Sequence, residues 1–321
     1  MSAPPLVGKT ALVTGGTAGI GRETALGLAR LGAAVTIVGR NHDRGIEAVE
    51  TLQHESGNPD VELMTADLAS QADVRSLAER FAAKHGRLDL LVNNAAGLYG
   101  ERTLTADGVE STLALAHLAP ALLTHLLLPL LRESAPARIV NVSAGAHRWA
   151  RPRWDDLQSE RGYRGLDVYA RAKLLNLMWS GELARRVRGT GITVVAADPG
   201  SAWTDLTAGI TPAMVPAPLR AVWPVVRRVQ GGRTAEAAAR SSLVAATSRD
   251  VLSGAYLDSR GRPAQSSQAS RDGEQALRAW EVTAELLGID ADQLAGARAR
   301  KRRGAEERYA APRLVAAGAA A

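Results

Sequence analysis

Thr10-Ala11-Leu12-Val13-Thr14-Gly15-Gly16-Thr17-Ala18-Gly19-Ile20-Gly21 is the stretch that decides the fold. A short apolar run passes directly into spaced glycines and then into a segment of helical period. Gly15 permits a tight turn, Gly19 lets backbone approach a pyrophosphate, and Gly21 allows close helix–strand packing. A helix that starts near Gly19 aims its free N–H groups at the phosphates. With Thr17 and Ile20 in the same loop, the segment reads as a strand–turn–helix that binds a nucleotide.

Outward from this turn, short apolar runs alternate with longer helix-period segments. The expected strands are 10–14, 34–38, 61–65, 88–92, 138–143 and 193–197, with a seventh near 255–258. Helices are expected over 21–31, 44–55, 71–85, 109–131 and 167–188. Strands alternating with helices imply right-handed crossovers, hence an α/β fold with a doubly wound, seven-stranded parallel sheet and helices on both faces. One domain is expected over 1–290, followed by a disordered basic tail over 291–321. Two segments interrupt the alternation: a Trp/Arg-rich insertion at 148–165 and a proline-rich stretch at 204–233. Both fall at the carboxyl ends of strands, where ligands bind in this architecture, so both are candidate substrate covers.

Composition narrows the classes. The chain has 321 residues, 46% of them apolar, enough for a sizeable core. It contains no cysteine, which excludes disulfides, thiolate metal sites and cysteine nucleophiles; no metal is expected. The most apolar run, Leu113–Leu131, carries His117, Pro120, His125 and Pro129 and reads as a buried helix rather than a membrane span. The N-terminus has no signal-peptide pattern, and a soluble cytoplasmic protein is expected. The net charge is +6, but Gly296–Arg313 alone contributes +5, so no specific nucleic-acid partner is implied. Lysine is rare, occurring only at Lys9, Lys84, Lys173 and Lys301.

The chemistry-bearing residues follow the strand ends. Val38-Gly39-Arg40-Asn41 ends the second strand without the carboxylate that would accept from a ribose 2′-hydroxyl. Arg40 suits a 2′-phosphate, with Arg22 or Arg44 assisting, and this favours NADP over NAD. Asp67 and Leu68 end the third strand and suit an adenine contact. Asn93-Asn94-Ala95-Ala96-Gly97 ends the fourth. Pro199-Gly200 and Thr204 follow the sixth, where Thr204 is placed to hold a nicotinamide carboxamide. Tyr169 and Lys173 form a Tyr-x-x-x-Lys pair, one helical turn apart, that points to proton transfer.

Taken in order and spacing, Thr14–Gly21, Asp67, Asn93–Gly97, Tyr169–Lys173 and Pro199–Thr204 resemble the short-chain dehydrogenase/reductase family in its single-domain Rossmann form. His117-Leu118, Asn141-Val142-Ser143, Asp155-Asp156-Leu157-Gln158 and Leu277–Leu287 are similar to its retinol-dehydrogenase and WW-domain-oxidoreductase-like branch. The resemblance covers about residues 6–289. It implies Tyr169 as acid/base toward a carbonyl or alcohol, and Lys173 as a cation that lowers the phenol pKa and binds the nicotinamide ribose. It further implies that the helices bearing Ala116 and Tyr169 form a homodimer or homotetramer face.

Two positions depart from the family pattern. Where the family has a serine that binds the substrate oxygen, this chain has Ala144, with Ser143 one residue off; where it has a helix asparagine, this chain has Ala116. Losing one oxygen-stabilising donor costs about 10²–10³ in rate. Three readings stay open. Redox chemistry on a small, largely apolar substrate persists with another donor, such as His147 or Tyr99. Alternatively, Tyr169 catalyses a non-redox cyclisation, dehydration or isomerisation. Or the protein binds cofactor as an inert regulatory subunit. Trp149, Trp154 and Trp203 fall near the expected pocket and suit stacking on a flat ligand.

Overall fold

Strands β1 (Thr10–Thr14), β2 (Ala34–Gly39), β3 (Val61–Thr65), β4 (Leu90–Asn93), β5 (Ala137–Val142), β6 (Ile192–Ala197), β7 (Tyr256–Leu257) and β8 (Pro263–Ala264) form one sheet. Their order is β3-β2-β1-β4-β5-β6-β7-β8. The structure, a computed structural model, describes residues 5–200, 211, 214 and 233–294. The first seven strands are parallel, as the sequence leads one to expect; the eighth is a two-residue antiparallel addition to β7. Residues as short and polar as those around Pro263 carry no alternation that would mark a strand.

The helices are α1 (Gly19–Arg30), α2 (His42–Ser56), α3 (Gln71–Lys84), α4 (Ser111–Glu133), α5 (Gly165–Arg186), α6 (Ala235–Thr247), the short α7 (Gln268–Arg271) and α8 (Gly273–Leu287). Local chemistry sets several of their ends. The Asn41 side chain accepts from the Arg44 amide at 2.9 Å to start α2, and Gly57, at φ 69°, closes it in the left-handed region. Ser70 and Asp272 likewise cap α3 and α8.

Successive strand residues feed opposite layers. Val13, Ile37, Val92, Val140 and Val195 pack with Leu28 of α1, Leu52 of α2 and Ala245 of α6. Leu12, Val38, Leu91, Ile139 and Val194 pack with Phe81 of α3, Leu122 of α4, Met178 of α5 and Trp280 of α8. This two-residue period is why the strands read as continuous apolar runs. Helix α4 is long and apolar enough to cross a membrane by length and composition, but 72% of that stretch is buried inside the fold.

Helix α8 lies on α5. Trp280 stacks on Trp179 with centroids 6.0 Å apart and planes 8° from parallel, and Arg186 covers the outer face of Trp280 at 4.5 Å. The packed body continues past the boundary expected at 290. Ala291 accepts from the Trp280 indole at 2.7 Å, the Leu294 carbonyl meets His125 Nδ1 at 2.8 Å, and Leu294 is buried. An apolar side chain four residues beyond Asp290 therefore belongs to the core. The rest of the expected tail, and nearly all of the expected cover at 204–233, lie outside the described residues.

Candidate active site

Register gathers the site. Thr14 pairs with Val38, Val92 with Val13, Asn93 with Asn141, and Val142 with Ala197. The carboxyl ends of β1, β2, β4, β5 and β6 thus form one edge, and every motif lies just beyond it.

The glycine loop is built for close approach. Gly15 and Gly19 have φ of 65° and 54°. A Cβ on Gly21 would fall on the Gly15 carbonyl oxygen and on Asn94 Nδ2, so only glycine lets α1 start there. Asn94 Nδ2 donates to the Thr14 carbonyl at 2.9 Å, and Thr14 Oγ1 accepts from the Asn94 and Ala95 amides. Asn94 and Ala95 therefore tie the end of β4 to the glycine loop. Next to them, Asn93 is buried and serves the scaffold: it donates to Asn141 Oδ1 at 2.9 Å and to Thr124 Oγ1 at 3.0 Å, and Asn141 passes the chain on to Ser180 of α5.

At the end of β2, Thr17 fills the place where a Gly39 side chain would stand: a Cβ there would lie 2.5 Å from Thr17 Cγ2. Arg40 is exposed beside it. Arg22, expected as an assistant, is bound to Glu23 and Glu55, which hold its guanidinium charged and engaged. Asp67 is exposed and Leu68 buried, and Asp67 Oδ1 accepts from the Ala69 amide. These residues follow one edge of the sheet at the strand ends, and the glycine cradle and the cationic end of β2 fit a phosphorylated dinucleotide.

Tyr169 and Lys173 stand on consecutive turns of α5. Lys173 is 3% exposed, its Nζ lies 5.9 Å from the Tyr169 ring centre, and it donates to the Val142 carbonyl at 2.7 Å. Burial lowers the Lys173 pKa to about 8, against the opposing pull of Asp198. Tyr169 differs from expectation. Its phenol is pushed up, first by burial and then by the Asp198 charge, rather than down by Lys173. Burial of the phenol is the larger cause, the Asp198 charge adds to it, and Lys173 is engaged by the Val142 carbonyl.

Asp198 was not legible as a site residue; only its position before Pro199 hints at it. It is buried, accepts from the Tyr256 phenol at 2.6 Å through Oδ2, and from the Gly200 amide at 2.8 Å through Oδ1. That second bond shapes the Pro199–Gly200 turn, where Gly200 has φ 70°.

The departures are visible in place. Ala144 is half-buried just past β5, while Ser143 Oγ is buried without a hydrogen-bond partner among the described residues. Ala116 is buried within a π-turn, Ala114–Leu118, of α4. His147 is not a free donor: Nδ1 bonds the Ala144 carbonyl at 2.8 Å and Nε2 accepts from the Ser267 amide at 3.1 Å. Tyr99 folds over Gly97, and its hydroxyl has no hydrogen-bond partner among the described residues. Trp149 is 62% exposed. Trp154 leaves the pocket, since its indole donates to Gln275 of α8 and Arg278 covers its ring. Thr204 and Trp203 lie outside the described residues.

Comparison with known proteins finds relatives over most of the chain. The profile of the short chain dehydrogenase family matches residues 9–214. Retinol dehydrogenase 12 of Mus musculus is 38% identical over 284 residues, covering 88% of this chain and 87% of its own. Dehydrogenase/reductase SDR family member 13 of Bos taurus is 39% identical over 302 residues, covering 90% and 77%. Among solved structures, an uncharacterized protein from Mycobacterium paratuberculosis superposes with a TM-score of 0.71 at 28% identity, covering 90% and 98%. The RhlG/NADP complex of Pseudomonas aeruginosa superposes with a TM-score of 0.63 at 30% identity, covering 81% and 98%. On sequence, fold and the ordered residues of its strand ends, this chain belongs to the short-chain dehydrogenase/reductase family.

Proposed function

We propose that this protein is an NADP(H)-dependent oxidoreductase that interconverts a carbonyl and an alcohol on a small, largely apolar substrate. The observation that carries the reading is the Tyr169–Lys173 pair standing at the same strand edge as the glycine cradle. NADP(H), when bound, supplies or accepts the hydride. Gly15, Thr17, Gly19, Ile20 and Gly21 would hold the pyrophosphate, Arg40 the 2′-phosphate, Asp67 and Leu68 the adenine, and Asn94, Ala95, Pro199, Gly200 and Thr204 the nicotinamide half. Thr17 on Gly39 supports NADP over NAD, because it leaves no room for a carboxylate at that position.

Tyr169 moves the proton at the substrate oxygen. Lys173, anchored on Val142, presents a charge beside the ribose. Ala144 leaves the oxygen without the usual second donor; the half-buried Tyr99 hydroxyl and the buried Ser143 Oγ both stand without a hydrogen-bond partner among the described residues, and Tyr99 is the more accessible of the two. Burial raises the Tyr99 phenol pKa, with Arg40 pulling it down and Asp67 and Glu110 pushing it up. The names of the relatives put retinoid alcohols and aldehydes among the substrates to test first. A cytoplasmic location is part of the proposal.

Ala144 and Ala116 support a second reading, in which Tyr169 transfers a proton without hydride transfer. Absorbance at 340 nm separates the two. With NADPH and a panel of aldehydes and ketones that includes retinal, the first reading expects oxidation of NADPH that requires both protein and carbonyl. A steady signal with every carbonyl, while a substrate is still transformed, would support the second.

A further inference from the structure

Asp198 is a buried carboxylate at the centre of the site, and no conventional role accounts for it. It follows Ala197, which pairs with Val142 across β5 and β6, and Val142 is the residue whose carbonyl holds Lys173. Adjacent strands lie about 4.8 Å apart, so the carboxylate stands on the strand next to the lysine's anchor. Its oxygens are fixed from two sides, by the Tyr256 phenol and the Gly200 amide. It makes no salt bridge among the described residues.

The charged and titratable groups around it come from four directions. Tyr256 bonds it from β7, its charge acts on Tyr169 and Lys173 of α5 and on His147 of the turn after β5, and Arg148 of that turn lies over the Tyr256 ring. Arg233 approaches Gly200, with Nη1 2.9 Å from where a Cβ would stand. Arg148 is drawn over the Tyr256 ring at 5.8 Å and donates to the Gln265 carbonyl, and Arg233 donates to the Ser259 carbonyl. Burial is the first cause at each of these groups, raising Tyr169 and Tyr256 and lowering Lys173 and His147, and the carboxylate pulls upward on all four.

We propose that Asp198, tethered by Tyr256 and the Gly200 amide, is a positioning residue that keeps the proton on the Tyr169–Lys173 pair and so sets the pair to donate, favouring carbonyl reduction over alcohol oxidation. This rests on the redox reading above. In the reducing direction the carbonyl carbon takes a hydride from NADPH, which becomes NADP⁺. The oxygen takes the Tyr169 proton, and the phenolate regains one from water. A carboxylate near the phenol helps it hold a proton as donor and hinders its loss as base.

The scarcity of lysine makes the idea measurable without turnover. Protein labelled with ¹³C at lysine Cε gives at most four signals, and Lys173→Met identifies the buried one. Its titration midpoint in the wild type is expected near 8. Asp198→Asn keeps the shape and removes the charge, and should lower the midpoint by about half a pH unit or more. Tyr256→Phe keeps the charge and removes the tether, and should lower it by less; it also stands in if the first variant does not fold. A midpoint unmoved or raised in either folded variant overturns the proposal, because a merely structural Asp198 would change stability and leave Lys173 alone.

The activity arm is the pH profile of alcohol oxidation, whose rising limb should move to lower pH in Asp198→Asn. A limb that stays put, with oxidation measurable, also overturns the proposal. If neither protein exchanges hydride with any substrate, the redox reading fails, and the lysine titration still decides what Asp198 does.

Discussion

Lys173 Nζ donates to the Val142 carbonyl at 2.7 Å, which pins the candidate catalytic lysine to the end of β5. The bond fixes a buried cation one turn from Tyr169. Tyr169→Phe keeps the ring and removes the only proton at that position. Its turnover should fall by about 10²–10⁴ with cofactor affinity nearly unchanged. Wild-type turnover in the variant would move the chemistry elsewhere.

Arg40 is exposed at the end of β2, beside a Gly39 whose side-chain space is taken by Thr17. NADPH should therefore bind more tightly than NADH. Arg40→Ala removes a charge-assisted hydrogen bond worth about 1.5–3 kcal/mol, so NADPH affinity should drop by about 10- to 100-fold. NADH affinity should hardly move. Fluorescence titration of both cofactors checks this, and equal losses for the two would place the 2′-phosphate elsewhere.

Trp280 joins α8 to α5 by stacking on Trp179 and bonding Ala291. Trp280→Ala should cost about 3–5 kcal/mol, a large fall in melting temperature. Truncation separates the two parts of the C-terminal region. Ending the chain after Leu294 should leave the melting temperature near that of the full chain. Ending it after Asp290 removes Leu294 and the Ala291 acceptor, and should lower it clearly. Since α8 covers α5 in the same chain, light scattering on the intact protein also tests whether that face is open to a second copy.

His117 is buried, and its pKa falls to about 3 through burial and the Lys173 charge. Thr283 gives its hydroxyl proton to the Ala279 carbonyl, so His117 Nε2 must donate to Thr283 and the ring is neutral. An unfolded histidine gains a proton below about 6.5. Between 6.5 and 3 the unfolded state binds the extra proton, so stability is lost as pH falls through that window. The slope is up to about 1.4 kcal/mol per pH unit. Denaturant melts of His117→Gln should show a flatter dependence there, and an unchanged slope would assign acid sensitivity to other groups.

The sheet was legible because its central strands are buried on both faces, so Leu12 and Val13 are both apolar although they face opposite layers. The glycine positions were legible because backbone geometry demands them. The Tyr169 environment was not. Whether a phenol is lowered by Lys173 or raised by burial and by Asp198 depends on contacts between α5, β5 and β6, which no spacing encodes. Trp154 shows the same limit from another side: its position in the insertion suggested the pocket, while Gln275, more than a hundred residues away, takes its indole. Leu294 sits in Ala-rich sequence with little periodicity, so its burial was hidden.

In the proposed reaction a hydride passes at a site where Ala144 offers the substrate oxygen no hydroxyl. The most direct measurement is mass spectrometry of the product formed from an aldehyde such as retinal with NADPH carrying deuterium at the transferable C4 position. The expected product is an alcohol that carries one deuterium from the cofactor, formed by the wild type and lost with Tyr169→Phe. An Ala144→Ser variant should form the same labelled alcohol faster, by as much as 10²–10³-fold if the new hydroxyl reaches the oxygen. Substrate converted to a product without deuterium, with NADPH unconsumed, would contradict the account.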